Sequence, residues 1–162
     1  MTSKGVSARI SATRSSNSLM RRTIAARRRC HNRGMSEDIT QALAGIRDRA
    51  LRRVRDAGCD TSGCEDAIGR VAVASDFAIH TLATQPGLLA RLRADSRTAL
   101  PMPVLDAGNR DDWARLLRRH RHAESTRLVW RDVVDGAAVD EILAGSTALA
   151  DACLQAALAA LE

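Results

Sequence analysis

The sequence contains no tyrosine, and its only aromatic rings are Phe77, Trp113 and Trp130. Leu, Ile, Val and Phe together make up 34 of the 162 residues, while 29 positions are alanine. The core these residues can build is thin. Alanine-rich composition with few β-branched and aromatic side chains favours helix over strand. No apolar run approaches the ~18 residues a membrane span needs, so a soluble, mostly helical chain is expected with no membrane as partner. At 17.5 kDa the length fits one ordinary domain.

Acidic residues are missing from one end. Residues 1–35 hold nine basic residues (Lys4, Arg9, Arg14, Arg21, Arg22, Arg27, Arg28, Arg29 and Arg33) and no acid. Residues 36–162 hold the other 16 basic and all 19 acidic residues, a net charge of −3, so the overall +6 belongs to the first 35 residues. With only Val6, Ile10, Leu19 and Ile24 as large aliphatic residues, that segment buries too little surface to offset its ordering entropy and is expected to be a disordered tail. Three readings fit it: an organellar transit peptide, a basic arm for nucleic acid, or a leader included by an early start. The composition changes abruptly at Met35-Ser36-Glu37-Asp38. The expected division is therefore 1–35, a basic tail or mis-called leader, and 36–162, a helical region.

The four cysteines, Cys30, Cys59, Cys64 and Cys153, lie in no disulfide or zinc framework. Free thiols in a reducing cytoplasm are the expectation.

From Ser36 onward the pattern predicts about five helices in an antiparallel bundle or helical fragment. The first runs from a Ser36 cap to a Gly58 stop, with Ile39, Leu43, Ile46, Ala50 and Val54 on one side. The second, about 65–84, carries a wide stripe of Ile68, Val71, Ala72, Ser75, Ala78, Ile79 and Leu82 and reads as the more central helix. Pro86 opens a short third helix to residue 94. The connection 95–109, with Pro101, Pro103 and Gly108, is the place for a hinge. A fourth helix, about 110–135, has Asn109 as its cap and Gly136 as its stop. The fifth, from Ala137, keeps its amphipathic register to the last residue without a stop signal, which suggests the front end of a larger protein.

Candidate chemistry is sparse. His80 reads as a packed core residue. His120 and His122 sit among arginines, which disfavour protonation and metal binding there. No Gly-rich phosphate loop or catalytic triad order is present, and Asp111-Asp112 reads as helix N-terminal charge. Nucleic acid is not expected as partner. Residues 36–162 are net acidic, helix 110–135 is only +2, and three rings are too few for base stacking. A small helical nucleic-acid-binding or protein-interaction module stands as the alternative function.

One ordered set of residues is more specific. The run Leu117-Arg118-Arg119-His120-Arg121, then Glu124, Arg127 and Trp130-Arg131-Asp132, is followed by Ser146, Leu149, Ala150 and Asp151. Upstream stand Ser75-Asp76-Phe77, Gln85-Pro86 and Leu88-Leu89. Together they resemble the helical region of the bifunctional glutamine synthetase adenylyltransferase/adenylyl-removing family, over about residues 70–162. The sequence departs from that pattern at His120, where the family usually has Phe, at Ser125-Thr126, where it has larger apolar residues, and at Gly145, often Glu. These departures suggest a diverged or degenerating copy.

The resemblance implies a helical region preceding a nucleotidyltransferase fold whose phosphate loop and carboxylate pair lie downstream. It implies ATP and Mg²⁺ as cofactors of the full-length family but none in this chain, and no catalytic, cofactor-binding or metal-ligating residue here. The implied partners are the remainder of the adenylyltransferase and glutamine synthetase. The family-run residues Arg118, Arg119, Arg121, Glu124, Arg127, Trp130, Arg131, Asp132 and Asp151 are then structural or partner-facing. The plain reading of Arg118 to Asp132 is a solvated helix, with Arg121 and Arg127 each three residues from Glu124 and Arg131 four from Asp135. The other places its arginines against nucleotide or an acidic partner.

Overall fold

A computed structural model describes residues 37–161. The tail, leader, Ser36-cap and Cys30 readings lie outside them. The chain divides after Leu43 into two units. The described part of the first, 37–43, is the start of helix α1 (37–56), where Ile39 and Leu43 are exposed.

In the second unit, the rest of α1 is followed by α2 (Glu65–Ala74), α3 (Asp76–Thr84), α4 (Pro86–Ala94), a 3₁₀ segment (Ala107–Asp112), α5 (Trp113–Val133) and α6 (Val139–Ala159). The described residues contain no strand, as the composition predicts. Gly58 at φ 83° and Gly136 at φ 66° stop α1 and α5 in the left-handed conformation their spacing predicts. Pro86 occupies the first turn of α4.

The core is formed by Val54 of α1, Ile68 and Val71 of α2, Ile79 and Leu82 of α3, Leu89 of α4 and Trp130 of α5. Each fully buried aliphatic side chain stabilises the fold by roughly 1.5–3 kcal/mol. Cys59 and Cys64 belong to this core. Their thiols reach only backbone carbonyls, Leu82 and Pro86 for Cys59 and Thr61 for Cys64, and burial raises both above the ordinary thiol value. They pack as small hydrophobes.

Several expectations fail for physical reasons. The helix expected over 65–84 is two helices. Ser75 is extended (φ −157°, ψ 104°), and its hydroxyl accepts from the Ala78 amide at 3.2 Å, starting α3 afresh with Asp76 in its first turn. The apolar stripe continues across this break, so periodicity cannot register it. Asn109 is not the cap of the fourth helix. Asp106 caps the 3₁₀ segment, and Asn109 returns the reciprocal bond to the Asp106 amide.

Among α2 to α6 the most central helix is the charged one, since α5 packs against the other four. His80 is exposed rather than packed, with its Nδ1 accepting from Arg53 at 2.6 Å.

The segment α5-turn-α6 is an antiparallel hairpin. Its register is fixed by Arg131 beside Glu141, Leu128 beside Gly145, and Leu117 and Arg121 beside Cys153. Gly145 is not simple decay of a helix interior. A β-carbon there would stand 2.6 Å from Leu128 Cδ2, so the missing side chain admits the buried Leu128 against the α6 backbone. The roughly 1 kcal/mol helix cost of glycine is offset by that contact.

One further expectation needs correction. By length and composition, α6 is long and apolar enough to cross a membrane. Asp151 interrupts its apolar run, while the alanines and leucines around it keep the mean hydropathy of the helix high.

Candidate functional site

The family-run residues fall into two groups on α5. Glu124, Arg127, Trp130 and Arg131 are buried, and Arg118, Arg119, Arg121 and Asp132 are exposed. Asp151 is exposed on α6.

The buried group forms a clamp. The side chains of Arg127 and Glu124 are only 8% and 6% exposed, and the guanidinium donates to one carboxylate oxygen through Nη2 at 2.5 Å and Nε at 2.8 Å. Arg127 Nη1 also donates to the carbonyls of Ser96 (2.9 Å) and Arg97 (3.3 Å). The second Glu124 oxygen accepts from the Leu100 amide at 3.0 Å. The connection where a hinge was expected is therefore held at three backbone groups. Asp95 adds a local turn, accepting from the amides of Arg97 and Thr98, and the Thr98 side chain first, then these amides, lower its pKa.

One turn later, Arg131 ties the hairpin. It donates to Glu141 through Nε (3.0 Å) and Nη2 (2.5 Å), and to Asp135 through Nη1 (3.1 Å). These bonds, Glu141 first, raise its pKa further. Asp135 also accepts from the Ser96 hydroxyl, so the two clamps share a loop. Trp130, between them in sequence, is 4% exposed in the core.

Of the pairs expected from spacing, Arg127–Glu124 and Arg131–Asp135 form, whereas Arg121 makes no ion pair among the described residues. The expectation of a solvated helix holds for Arg118 to Arg121 apart from His120, and fails for Glu124, Arg127 and Arg131. Sequence reasoning missed Ser96, Arg97 and Leu100, whose backbone atoms meet Arg127 and Glu124 from 24 to 31 positions away. Glu141 was missed because its partner lies across the hairpin.

Two departures from the family pattern are also absorbed in the interior. Thr126 is fully buried, with its hydroxyl donating to the His122 carbonyl at 2.9 Å. His120 is buried beneath the 95–106 connection. Desolvation holds its pKa below the ordinary imidazole value, against the opposing pull of Glu124 and the Pro101 carbonyl. Folding thus selects the neutral ring. Below about pH 6.5 the unfolded chain takes up a proton that the folded chain resists, so this site's contribution is intact above that pH and lost below it. His120→Phe is expected to be the more acid-tolerant chain. Its melting-temperature advantage over the parent should widen from pH 8 to pH 5, and a constant difference would contradict the assignment. The depressed carboxylates Asp60, Asp95 and Asp112 act lower, losing their contribution only as pH falls below about 4.

Beside the clamps, an open groove of about 820 Å³ runs between the start of α2, the end of α4 and the end of α5. Arg70, Arg93 and Arg97 interleave there with Glu65, Asp66, Asp95 and Asp135. Among the described residues, no three His, Cys, Asp or Glu side chains are grouped to hold a metal ion.

The described residues thus form an all-helical region whose most charged helix is turned inward and whose ion pairs bind a loop and a hairpin. Its family is shown by comparison. A family model of glutamate-ammonia ligase adenylyltransferase matches residues 66–162, and the chain belongs to that family.

A bifunctional glutamine synthetase adenylyltransferase/adenylyl-removing enzyme of Xanthomonas campestris pv. campestris is 51% identical over 125 residues, covering 75% of this chain and 13% of the relative. The protein of the same description from Stenotrophomonas maltophilia strain K279a is 44% identical over 127 residues, 77% of this chain and 14% of its own length. One from Pseudomonas aeruginosa is 32% identical over 99 residues, 54% of this chain and 10% of its own length. The chain thus spans about 13% of the length of the Xanthomonas relative. No solved structure matches.

Proposed function

We propose that this chain is a helical support segment of an enzyme that adenylylates and de-adenylylates glutamine synthetase in nitrogen regulation, and that it transfers no AMP by itself. The observation that carries this reading is the inward use of the family run. Glu124, Arg127 and Arg131 spend their charges on the 95–106 connection and the α5/α6 hairpin. Groups committed to internal bonds are poor candidates for holding a triphosphate, and they suit a platform that fixes the position of neighbouring segments.

On this reading, the ATP and Mg²⁺ chemistry belongs to parts of the family outside the matched stretch, where carboxylates hold the ion and orient the phosphoryl group. The partners are those parts and glutamine synthetase, in the cytoplasm.

The test is incubation of the chain with glutamine synthetase, labelled ATP and Mg²⁺, with the Xanthomonas relative as the positive control. No label on glutamine synthetase above background is expected from this chain. Incorporation by the isolated chain would overturn the proposal.

A further inference from the structure

Over residues 113–123, α5 carries Arg115, Arg118, Arg119 and Arg121, all exposed, and no acid. Only Arg115 has an ion-pair partner, Asp112 at 3.0 Å. Arg118, Arg119 and Arg121 form no ion pair among the described residues. Like charges three and four positions apart on a helix repel. Arg115 stands at those steps from Arg118 and Arg119, and Arg118 from Arg121, so the folded chain carries a repulsion that an anion would relieve. Arg118 lines two shallow clefts. One, of about 240 Å³, is walled by Thr84 and Gln85, where α3 meets α4, and by Arg115, Arg118, Arg119 and His122. The other, of about 370 Å³, is lined by Ala114, Leu117, Arg118, Arg121 and Cys153. Among the described residues neither is lined by a carboxylate.

The wall of the first cleft is braced, since the Gln85 side-chain amide donates to the Arg119 carbonyl at 3.1 Å. An apolar ring adjoins it. Phe77 is 42% exposed and meets His122 edge-on, with 5.1 Å between ring centroids. The surrounding acids are engaged or distant. Asp112 holds Arg115, Glu124 is buried on Arg127, and Asp76, next to Phe77, pairs with Arg53 at 3.7 Å. Asp151 is two residues from Cys153, about 200° around α6. Asp140 and Glu141 belong to the other end of the hairpin, where Glu141 binds Arg131. Asp111 precedes the patch, and Asp132 follows Arg121 by eleven residues, about 16 Å along the helix. The cationic stretch is therefore short and closed at both ends by carboxylates.

We propose that this face of α5 docks a short acidic helical segment of a partner protein, with its carboxylates on Arg115, Arg118, Arg119 and Arg121 and one apolar side chain on Phe77. Carboxylates three and four residues apart on a helix stand about 5–6 Å from one another, the spacing of the arginines they would meet. The planar fork of a guanidinium takes a carboxylate through two parallel bonds. Arginine and aromatic rings are the residue types enriched where proteins dock. A nucleic-acid backbone fits less well. Its charge runs on past both ends of the patch, where Asp111 and Asp132 repel it, and its affinity comes from many phosphate contacts. The docking face is independent of the support role, because it uses the arginines that the clamps leave free.

Fluorescence anisotropy with the whole chain tests it. The probe is a fluorescein-labelled, alanine-based helical peptide of about 16 residues, with glutamates at three- and four-residue steps and one leucine. It should bind, and its glutamine counterpart should not. Residues 1–35 of the same chain hold nine basic residues, so paired variants locate the contact. Arg118→Glu with Arg119→Glu should weaken binding by about tenfold or more, and Phe77→Ala by about threefold. Arg49→Glu with Arg52→Glu, the same charge change on exposed arginines of α1, should alter it by less than about twofold. Reversal at Arg118 and Arg119 removes repulsion, so melting should not fall. No binding at about 1 mM peptide, or equal weakening by the two double variants, would overturn the proposal. So would a melting temperature lowered by about 5 °C or more in the Arg118→Glu/Arg119→Glu chain, which would give these arginines a role inside the fold. Single-stranded DNA that binds more tightly than the peptide and loses the same factor in that chain would assign the patch to nucleic acid instead.

Discussion

Arg127→Ala is expected to destabilise the fold by about 3–5 kcal/mol, a large share of the roughly 5–15 kcal/mol that holds a domain together. The loss has three sources. Glu124 keeps a buried charge without its cation, and the Ser96 and Arg97 carbonyls lose their donor. Solvent screening offers little relief, because both side chains of the pair are less than 10% exposed. Melting should fall by about 10–20 °C, with Glu124→Ala close behind because it leaves the guanidinium unpaired and the Leu100 amide without its acceptor.

An apolar double replacement, Glu124→Met with Arg127→Leu, is also informative. Buried ion pairs can often be exchanged for hydrophobic pairs at little cost. Here the exchange leaves the Ser96 and Arg97 carbonyls and the Leu100 amide unsatisfied, so recovery should be only partial. Thermal melts of the four chains of the double-mutant cycle measure this. Full recovery in the double variant would show that the loop bonds contribute nothing.

The second large effect is expected from Trp130→Ala, about 3–5 kcal/mol from lost apolar burial and the cavity left behind. Trp130 is 4% exposed, and Val133 and Val134 pack beside it against the same cluster. These neighbours lie on one rigid helix and cannot collapse far into the space. The chain has only one other tryptophan, Trp113, which donates to Asn109 and the Asp106 carbonyl near the surface. The blue-shifted part of the native fluorescence should therefore disappear with Trp130. Trp130→Phe, which keeps a ring in the core, should lose less than half as much stability. A Trp130→Ala chain with native melting would contradict the assignment of this residue to the core.

The helical character of the chain was legible in its sequence because it follows from composition and from punctuation with direct backbone consequences. Gly58 and Gly136 end helices, and Pro86 begins one. The family run was legible as ordered residue types. Its structural meaning was only half so. The i,i+3 and i,i+4 spacings pointed to Arg127–Glu124 and Arg131–Asp135, but they carry no information on burial.

Periodicity ranks helices by apolar content, so it placed the helix over 65–84 at the centre and α5 outside. The structure reverses this because the buried face of α5 is polar and is satisfied by backbone groups of a distant loop. The Ser75 break, the Asp106 cap and the exposure of His80 share that cause. The first two depend on a local hydrogen bond and the third on a bond to Arg53 from another helix, and none of these changes the hydrophobic pattern. Gly145 shows the same limit from the other direction, since a residue that looks like decay in one helix is a point of close approach in the hairpin.

The support role is tested most directly in a chimera, with residues 66–162 replacing the matching stretch of the Xanthomonas campestris relative. The measurement is AMP transfer to glutamine synthetase, with thermal stability recorded on the same samples. If the clamp residues act only as support, Glu124→Ala and Arg127→Ala chimeras lose activity in step with their melting temperature, and Asp132→Ala retains both. A Glu124→Ala or Arg127→Ala chimera that melts normally and has lost its turnover would place these residues in the chemistry and contradict the account.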